Sequence, residues 1–521
     1  MNQNNISTAE LFQRVRELLM LPELEPKTRN KMMHDTLILC CHEGVKDTKQ
    51  AFGNLFSQVD YLCKAHGIKV ADKIAIQTMR RHSNSQEPLS NEDLKYDARA
   101  LAIFISAVFG VDVPHELNVL IPHTNRPYQK GLEINNRRIR CIVKNWDSDF
   151  IRVDIDQDAD EEEYLVQLKD EENHIDHTYL WDILKEGMQL NLLDCQVKQP
   201  IITPRLIVVE PDYLVDISSI ATCFTAFGHH PLLYLLNQMK PRANTQATLL
   251  GNFAGAALDD IINTNGKYQM NETIKTNFRE KALEFCTCPW FDAKKFYTDA
   301  NQQAFNLQQV VDILFPRTAS QAQMSAFRGE SLYDRKKAIL EPSFVCEALG
   351  IQGRVDLMTT DCKLLVEQKS GRNMNIETHQ VDPGYHSYQL EPHYVQLLLY
   401  YGVLQHNFKL SNDRVNIRLL YSKYQPQDGL MVVAYYHKLF QEAITYRNQL
   451  VAASFEIAKE GFEHALNEFT PDVLNVAGTQ DFFYNKYLKP QIEAITSPLH
   501  NLTPLEEAYF CRMMTSCCGN R

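Results

Sequence analysis

Two acidic residues and a lysine in the third quarter of the chain could hold a metal ion beside a positive charge. Apolar runs in the segment 349–371 predict two strands joined by a turn, with Asp356 on the first strand and Glu367 and Lys369 on the second. Side chains alternate along a strand, so Glu367 and Lys369 face the same way and Asp356 can lie beside them. Two carboxylates, with water and a substrate phosphate, are typical ligands of Mg²⁺. A lysine beside such an ion would activate an attacking water and neutralise charge in a transition state.

A surface hairpin is the alternative explanation of these three residues. The combination of Asp with a later Glu-x-Lys arises by chance in most chains of 521 residues, so it carries little weight by itself. The apolar run Leu364-Leu365-Val366 directly precedes the charges and predicts a buried strand. Charges at the end of a buried strand need partners, which favours a functional site over a solvated hairpin.

A predicted helix downstream carries two polar residues on one face. Residues 392–404 are mostly apolar, and Gln396 and Tyr400 are four positions apart, so they lie on the same side of the helix. A glutamine within such a helix needs a hydrogen-bond partner. The two residues could serve the same site as Asp356, or could be hydrogen-bonded in the core.

Taken together, these segments resemble the PD-(D/E)XK nucleases, in the RecB-like branch that occurs in replication nuclease–helicases and CRISPR-associated exonucleases. The resemblance covers roughly residues 216–467, and the order and spacing of its motifs are similar to those of the family. The matching pieces are Gly353-Arg354-Val355-Asp356, Glu367-Gln368-Lys369-Ser370-Gly371 and Gln396-x-x-x-Tyr400.

The resemblance implies a metal-dependent deoxyribonuclease that acts on single-stranded DNA or DNA ends in replication, repair or defence. Its catalytic residues would be Asp356, Glu367 and Lys369. The ligands of Mg²⁺ or Mn²⁺ would be Asp356, Glu367 and Gln368. The residues that support the site or contact DNA would be Gln396, Tyr400, Arg354 and Arg372.

The chain departs from the family pattern at one expected metal ligand. The segment 249–260 resembles the G-x-x-x-H…E helix that precedes the core, but Gly255 stands where the metal-binding histidine is expected. Asp259 or Asp260 falls where the acidic residue of that helix would lie. Glu341 is a further candidate carboxylate, with a simple helix-end charge as the alternative. We expect Asp356, Glu367 and a backbone carbonyl to hold one ion without the histidine.

The cysteines do not fit the iron–sulfur cluster that relatives in this branch often carry. Cys223 lies where a first ligand could stand, but Cys511, Cys517 and Cys518 follow the core by more than a hundred residues, and two of them are adjacent. We therefore expect no cluster, and expect Cys223 to be a buried core residue.

Composition and patterning predict a multidomain α+β protein. With 521 residues, 44% hydrophobic residues and a formal charge of -12, the chain has the size of about three globular domains. It has no membrane-length apolar run and no secretory signal, so we expect a cytoplasmic protein that does not bind membranes. The predicted parts are a helical domain (1–125), a small OB-like β-barrel (126–215), a restriction-endonuclease-like nuclease domain with a mixed sheet (216–470) and a C-terminal helical segment (471–521).

Periodicity supports the first two of these parts. Apolar residues at helical spacing run from about residue 8 to 111, interrupted by a polar segment at 80–86 that we predict to be a loop. Alternation of apolar and polar residues then predicts five short strands, at 138–143, 150–155, 164–168, 189–193 and 205–209.

Two other functions remain open on the sequence. One is a nucleic-acid-binding module whose catalytic site has decayed, and the other is an adaptor that docks a helicase. The chain has no G-x-x-x-x-G-K-[ST] phosphate loop, so a helicase would act in trans or belong to a missing C-terminal region. Residues 502–510 resemble the lead-in to such a region. An amphipathic helix is the alternative for that segment. A basic groove could draw on Lys240, Arg242, Lys369 and Arg372.

Overall fold

The structure is a computed structural model of the 521-residue chain. It describes residues 7–126, 132–155, 163–225, 228–239, 244–264, 267–381, 387–410, 414–461, 464, 470–475, 482, 484–500 and 502–518.

The first part of the chain is a bundle of helices around its own core. The helices are α1 (Thr8–Leu19), α2 (Pro26–Val45), α3 (Leu55–Ala65), α4 (Val70–Asn84), α5 (Asn91–Phe109) and α6 (His115–Asn118), with a short strand β1 (Ala51–Phe52) between α2 and α3. Capping boxes at Ser7 and Ser90 start α1 and α5. The loop predicted at 80–86 is wrong in its first half, because α4 continues to Asn84. Arg80 lies over the ring of Phe56, 5.2 Å from its centroid, so this arginine is packed against the protein, whereas Arg81 is exposed.

The second part is a small closed barrel, as the alternating pattern predicted. Its strands are β2 (Asn136–Trp146), β3 (Phe150–Ile155), β4 (Tyr164–Gln167), β5 (Lys169–Asp170), β6 (Ile175–Asp176), β7 (Gln189–Lys198), β8 (Ile201–Thr203) and β9 (Leu206–Val209). Five of them close in the order β2-β3-β4-β8-β7 and back to β2, and β9 extends from β7. Alternate residues of these strands fill the barrel interior.

The rest of the chain combines helices with mixed sheets. From 215 to 327 it forms β10 (Val215–Asp216), α7 (Ile217–Ala221), β11 (Phe224–Thr225), β12 (Gly228–His229), α8 (Leu232–Met239), α9 (Gln246–Asn263), α10 (Met270–Glu280), α11 (Ala282–Cys286), α12 (Ala293–Leu314) and α13 (Ala319–Phe327). The following segment contains β13 (Ala338–Leu340), β14 (Ser343–Cys346), β15 (Ile351–Arg354), β16 (Leu357–Thr359), β17 (Leu364–Lys369), α14 (Met374–Thr378), α15 (Glu391–Phe408) and β18 (Asn416–Tyr421). The last elements are α16 (Pro426–Gly429), β19 (Leu430–Val433), α17 (His437–Glu460), α18 (Lys489–His500) and α19 (Pro504–Cys518).

A six-stranded sheet in the order β1-β19-β18-β17-β16-β13 lies between two layers of helices. Strands β17 and β18 are parallel and are connected through α15, while β16 and β17 are antiparallel. Leu365 of β17 belongs to the core shared with α15 and α17, whereas Leu364 and Val366 belong to the core shared with α9 and α12. This alternation is why the β17 sequence is apolar on both faces.

Specific contacts join the three parts. Strand β1, from the helical part, pairs in parallel with β19 at the edge of the large sheet. The buried guanidinium of Arg447 in α17 donates to the carbonyls of Val209, Glu210, Tyr213 and Gly350, which joins the end of the barrel to the sheet region. Within the described residues, each helix is either too short or too polar to cross a membrane.

Candidate active site

A kink in one β-hairpin places two carboxylates opposite each other. The segment predicted as a single strand through Asp356 is in fact divided: β15 pairs with β14 in a three-stranded sheet, and β16 pairs with β13 in the large sheet. Asp356 lies at the break, and its carbonyl accepts from the N–H of Glu341 (3.0 Å). Pro342 has no N–H to continue the ladder, which accounts for the break. Glu341 is therefore not at a helix end; it lies across from Asp356.

Strand β17 aims Glu367 and Lys369 toward helix α15. Lys369 Nζ donates to Glu367 Oε1 (2.7 Å) and to Gln396 Oε1 (2.9 Å). The second oxygen of Glu367, Oε2, is buried and has no hydrogen-bond partner in the part of the chain that the structure describes. The N–H of Gln368 donates to Asp356 Oδ2 (2.6 Å), which ties the kink to the strand. The predicted grouping of Asp356, Glu367, Lys369 and Gln396 is thus present as one set of contacts.

Gln368 projects from the opposite face of the same strand. Its amide Nε2 donates to Ser422 Oγ (2.6 Å), and that hydroxyl donates to Gln303 Oε1 of α12 (2.6 Å). Asn306, one turn further along α12, donates to the Ser422 carbonyl (3.0 Å). All four side chains are buried. Only the backbone of Gln368 is therefore left for the metal-binding role that the sequence comparison gave it.

Tyr400 supports the kink from within the protein. Its hydroxyl donates to the carbonyl of Arg354 (2.6 Å), and its side chain is 3% exposed. Gly353 makes room for the ring, because a Cβ there would lie 2.9 Å from Tyr400 Cε1. Arg354 itself projects outward and pairs with Glu341 (3.0 Å). The Gln396–Tyr400 pair thus holds Lys369 on one side of the site and the backbone before Asp356 on the other.

Helix α9 brings a further carboxylate to the site. Its residues Gly251, Gly255 and Asp259 are spaced four apart and share one face. A Cβ at Gly251 would meet Ser370 Oγ at 3.2 Å, whereas a Cβ at Gly255 would have nothing within 4 Å. Asp260, the other candidate on this helix, instead accepts from Thr273 Oγ1 (2.5 Å) and serves the packing of α10.

Burial and, after it, the charges of neighbouring carboxylates raise the pKa of three carboxylates of the site. Burial, followed by the charges of Glu341 and Asp356, raises the pKa of Asp259 to about 7. Burial and the Asp356 charge raise the pKa of Glu367 to about 8, and burial raises that of Asp356. Two cations offset four carboxylates, which leaves a formal charge of about −2 around Asp259, Glu341, Asp356, Glu367, Arg354 and Lys369.

Sequence reasoning missed His393, which also approaches Lys369. Burial and the nearby Lys369 charge lower the pKa of His393 to about 3, so the imidazole is neutral at ordinary pH. Its Nδ1 lies 3.1 Å from the hydroxyl of Tyr421, the residue that pairs with Lys369 across β17 and β18. The signal was available, because His393 is one turn before Gln396 on the same face of α15.

Other predicted residues make no hydrogen bond or ion pair with this cluster among the described residues. Arg372 is exposed beyond the end of β17 and pairs with Glu377 (2.5 Å). Lys240 and Arg242 fall outside the described residues. Cys223 is fully buried in the core beside α15, where burial raises the pKa of its thiol to about 12. Across the ranges that the structure describes, no group of three or more His, Cys, Asp or Glu side chains is arranged to hold a metal ion.

Comparison with known proteins adds no relative to this picture. The chain matches no protein-family model, and no curated protein is significantly similar to it in sequence.

Proposed function

We propose that this chain is a metal-dependent nuclease of the PD-(D/E)XK type, RecB-like branch, that hydrolyses phosphodiester bonds of single-stranded DNA or DNA ends. One observation carries the proposal: Asp356, Glu367 and Lys369 converge where β16 begins and β17 ends, around a buried Glu367 oxygen that has no hydrogen-bond partner among the described residues. An unpartnered buried carboxylate oxygen is costly, and a bound cation would satisfy it.

The donor set suits a hard divalent cation. Asp356 and Glu367 offer carboxylate oxygens, and the carbonyl of Gln368 lies between them along the chain. The formal charge of about −2 on the cluster would be balanced by one such ion. Mg²⁺ commonly takes one or two protein carboxylates and completes its shell with water and substrate phosphate, so a third side chain is not required. When bound, the ion would polarise the phosphodiester and offset charge that develops on it.

Each side chain has a definable role in this proposal. Lys369 is held by Glu367 and Gln396 with its ammonium in the site, where it would orient an attacking water and stabilise the phosphorane-like transition state. Gln396 fixes the direction of that ammonium. Tyr400 fixes the backbone before Asp356 and, being buried, acts on the protein rather than on the substrate. Arg354 reaches solvent at the rim, where it could meet a phosphate.

The barrel supports a single-stranded substrate. Its five ring strands are β2, β3, β4, β7 and β8, here counted first to fifth in chain order. They close in the order first, second, third, fifth, fourth, and the third and fifth (β4 and β8) are parallel, which is an OB-like arrangement. Barrels of this kind often bind single strands through a positively charged surface and exposed aromatic rings. The core sheet, with β17 and β18 parallel around α15, agrees with a restriction-endonuclease-like centre.

A binding module with a decayed site is the second candidate, because Gly255 leaves open space where the family has a metal-binding histidine. Such a protein would bind DNA but not cut it. The two candidates differ in one measurable property, which is metal-dependent hydrolysis.

The deciding experiment incubates the full chain with end-labelled single-stranded and duplex DNA in Mg²⁺, Mn²⁺ or EDTA. The nuclease proposal predicts cutting of single strands in either metal, none in EDTA, and loss of cutting in Asp356→Ala and Lys369→Ala. Asp260→Ala is the matched control, since it removes a neighbouring carboxylate that bonds to Thr273 instead. Binding without cutting would support the decayed module, and cutting that survives both substitutions would place the active site elsewhere.

A further inference from the structure

The loops that follow β17 and β18 leave the sheet from the same edge. The two strands are parallel, and Lys369 pairs with Tyr421 at their carboxyl ends. Arg372 follows Lys369 by three residues, and Lys423 follows Tyr421 by two, so the Cα atoms of both residues lie within about 11 Å of those ends. Ligands of open α/β sheets bind in the crevice outside the carboxyl ends of parallel strands. The two cations therefore lie at the rim of the candidate site.

Both cations converge on one carboxylate. Arg372 Nη2 lies 2.5 Å from Glu377 Oε2, and Lys423 Nζ lies 3.3 Å from Glu377 Oε1. The hydroxyl of Tyr424 donates to the same Oε1 at 2.9 Å. The side chains of Arg372 and Lys423 are 61% and 44% exposed, whereas that of Glu377 is 24% exposed. A guanidinium, an ammonium and a phenol thus surround one anionic group at the surface.

The framework behind these donors is well fixed. The N–H of Asn373 donates to the Tyr424 hydroxyl (2.7 Å), and the Asn373 side chain is fully buried and donates to the carbonyl of Tyr388 (2.9 Å). The ammonium of Lys423 also lies over the Tyr424 ring, 5.8 Å from its centroid. Long cationic side chains normally lose rotamer entropy on binding, and these contacts reduce that loss.

We propose that Arg372, Lys423 and Tyr424 form a subsite for a backbone phosphate of a DNA strand that enters the candidate active site. Glu377 holds the three donors in place in the free protein and yields them to the phosphate. The donor set suits this ligand, because a guanidinium and an ammonium are the two side-chain groups that bind phosphate most strongly. The assignment rests on the proposed function in one respect, which is that the bound DNA strand leads into the candidate active site. Binding at the subsite can be measured independently of cutting.

The test uses fluorescence anisotropy to measure binding of a labelled single-stranded oligonucleotide to the full chain in EDTA, at salt concentrations between roughly 50 and 300 mM. The double substitution Arg372→Ala/Lys423→Ala should weaken binding roughly 20-fold at 0.1 M salt, and should reduce the slope of log K against log salt by about 0.7, the value for one lost phosphate contact. Lys46→Ala is the matched control, since Lys46 is 48% exposed and also pairs with a glutamate.

Glu377→Gln separates a phosphate subsite from a merely structural cluster. It keeps the size of the side chain and removes the competing charge, so binding should become several-fold tighter. Unchanged affinity in both variants, or a loss in Glu377→Gln equal to that in the double variant, would overturn the subsite. If only the double variant has a lower unfolding midpoint, its weaker binding has a structural explanation, and the affinity of Glu377→Gln for the oligonucleotide is then the deciding measurement.

The two proposals can fail separately. Metal-dependent cutting that Lys369→Ala abolishes, together with unaltered binding by the double variant, would retain the nuclease and reject the subsite. Weakened, less salt-dependent binding by the double variant, without cutting in any metal, would retain the subsite and favour the binding module.

Discussion

The two faces of strand β17 differ sharply although they alternate residue by residue. On the face toward α15, Glu367 and Lys369 belong to a cluster with an excess of carboxylates, and one Glu367 oxygen has no partner. On the face toward α12, Gln368 belongs to a neutral chain of hydrogen bonds that runs through Ser422 to Gln303. One face is electrostatically strained in the free protein, and the other is satisfied.

This contrast indicates which residues serve chemistry and which serve the fold. A buried polar network that is fully bonded stabilises and fixes a local structure. Buried like charges do the opposite, and they persist where the fold forces them together or where a ligand neutralises them. We therefore expect substitutions on the two faces to change activity and stability in opposite ways.

The largest effect is expected at Glu367. Replacing it by glutamine removes a proposed metal ligand, so metal-dependent cutting should fall by about 10³-fold. The same change should raise the free energy of unfolding of the metal-free protein above pH 8, because it removes a buried charge that lies near Asp356. Cutting assays and urea unfolding at pH 9 measure the two effects.

The activity of Glu367→Gln should not recover when Mg²⁺ is raised, since the ligand itself is gone. An unfolding free energy at pH 9 lower than that of the wild type would contradict the electrostatic contrast between the faces.

A loss of stability is expected on the other face. Ser422→Ala leaves the Gln368 amide and the Gln303 carbonyl oxygen without their shared partner, so it should cost about 1–3 kcal/mol in urea unfolding. Ser454→Ala is the control, because the Ser454 hydroxyl bonds only to the carbonyl of Leu450 in its own helix, and we expect a change within about 0.5 kcal/mol. Equal losses of unfolding free energy in Ser422→Ala and Ser454→Ala would contradict the stabilising role of the hydrogen-bond chain through Ser422.

The pH dependence of stability tests the carboxylate cluster as a whole. The native pKa values of about 7 for Asp259 and about 8 for Glu367 lie above their ordinary values, so the folded state binds more protons than the unfolded state between about pH 4 and 8. The stabilisation is complete below the unfolded pKa values and is lost as pH rises through the native ones. This contribution to stability should therefore fall from pH 5 to pH 8, so the metal-free wild type should lose unfolding temperature over that range relative to the double variant Asp259→Asn/Glu367→Gln.

Mg²⁺ should reverse part of this decline, because metal binding requires ionised carboxylates and competes with protons. Metal affinity should accordingly rise with pH over the same range. Calorimetry on the wild type and the double variant, with and without Mg²⁺, measures both trends. A metal-free difference between the two proteins that stays constant from pH 5 to pH 8 would refute the native pKa pattern.

The smallest effect is expected at Gly255. A Cβ at this position has nothing within 4 Å, so Gly255→His should fold and should tighten Mn²⁺ binding several-fold by adding an imidazole on the face that carries Asp259. Gly255→Ala controls for the gain in helix propensity alone. Titration calorimetry with Mn²⁺ compares them, and identical affinities would place this face of α9 away from the metal.

Much of the site could be predicted from local pattern. The period of two along β17 put Glu367 and Lys369 on one face, and the spacing of four on α15 put Gln396 beside Tyr400. The alternating strands of the barrel were also legible, because a barrel fixes which face is buried. Residues 504–510 of the segment 502–510 lie in α19, and the link of this segment to a helicase region stays a prediction.

Other features depended on pairings that sequence spacing does not contain. The break at Asp356 arises because two stretches of one hairpin join different sheets, and only Pro342 hinted at it. The opposition of Glu341 to Asp356 and the approach of His393 to Lys369 depend on that break and on the packing of α15.

The sequence by itself determined which residues could do chemistry and in which direction their side chains point, because the periods of strands and helices are local properties of the backbone. Tertiary structure alone decided that carboxylates from a hairpin, a strand and helix α9 come close together, and that Gln368 meets Ser422 and Gln303 on the other face of its strand. Burial and charge proximity come from elements far apart in the chain, and these two quantities set the pKa values of the carboxylates in the candidate site.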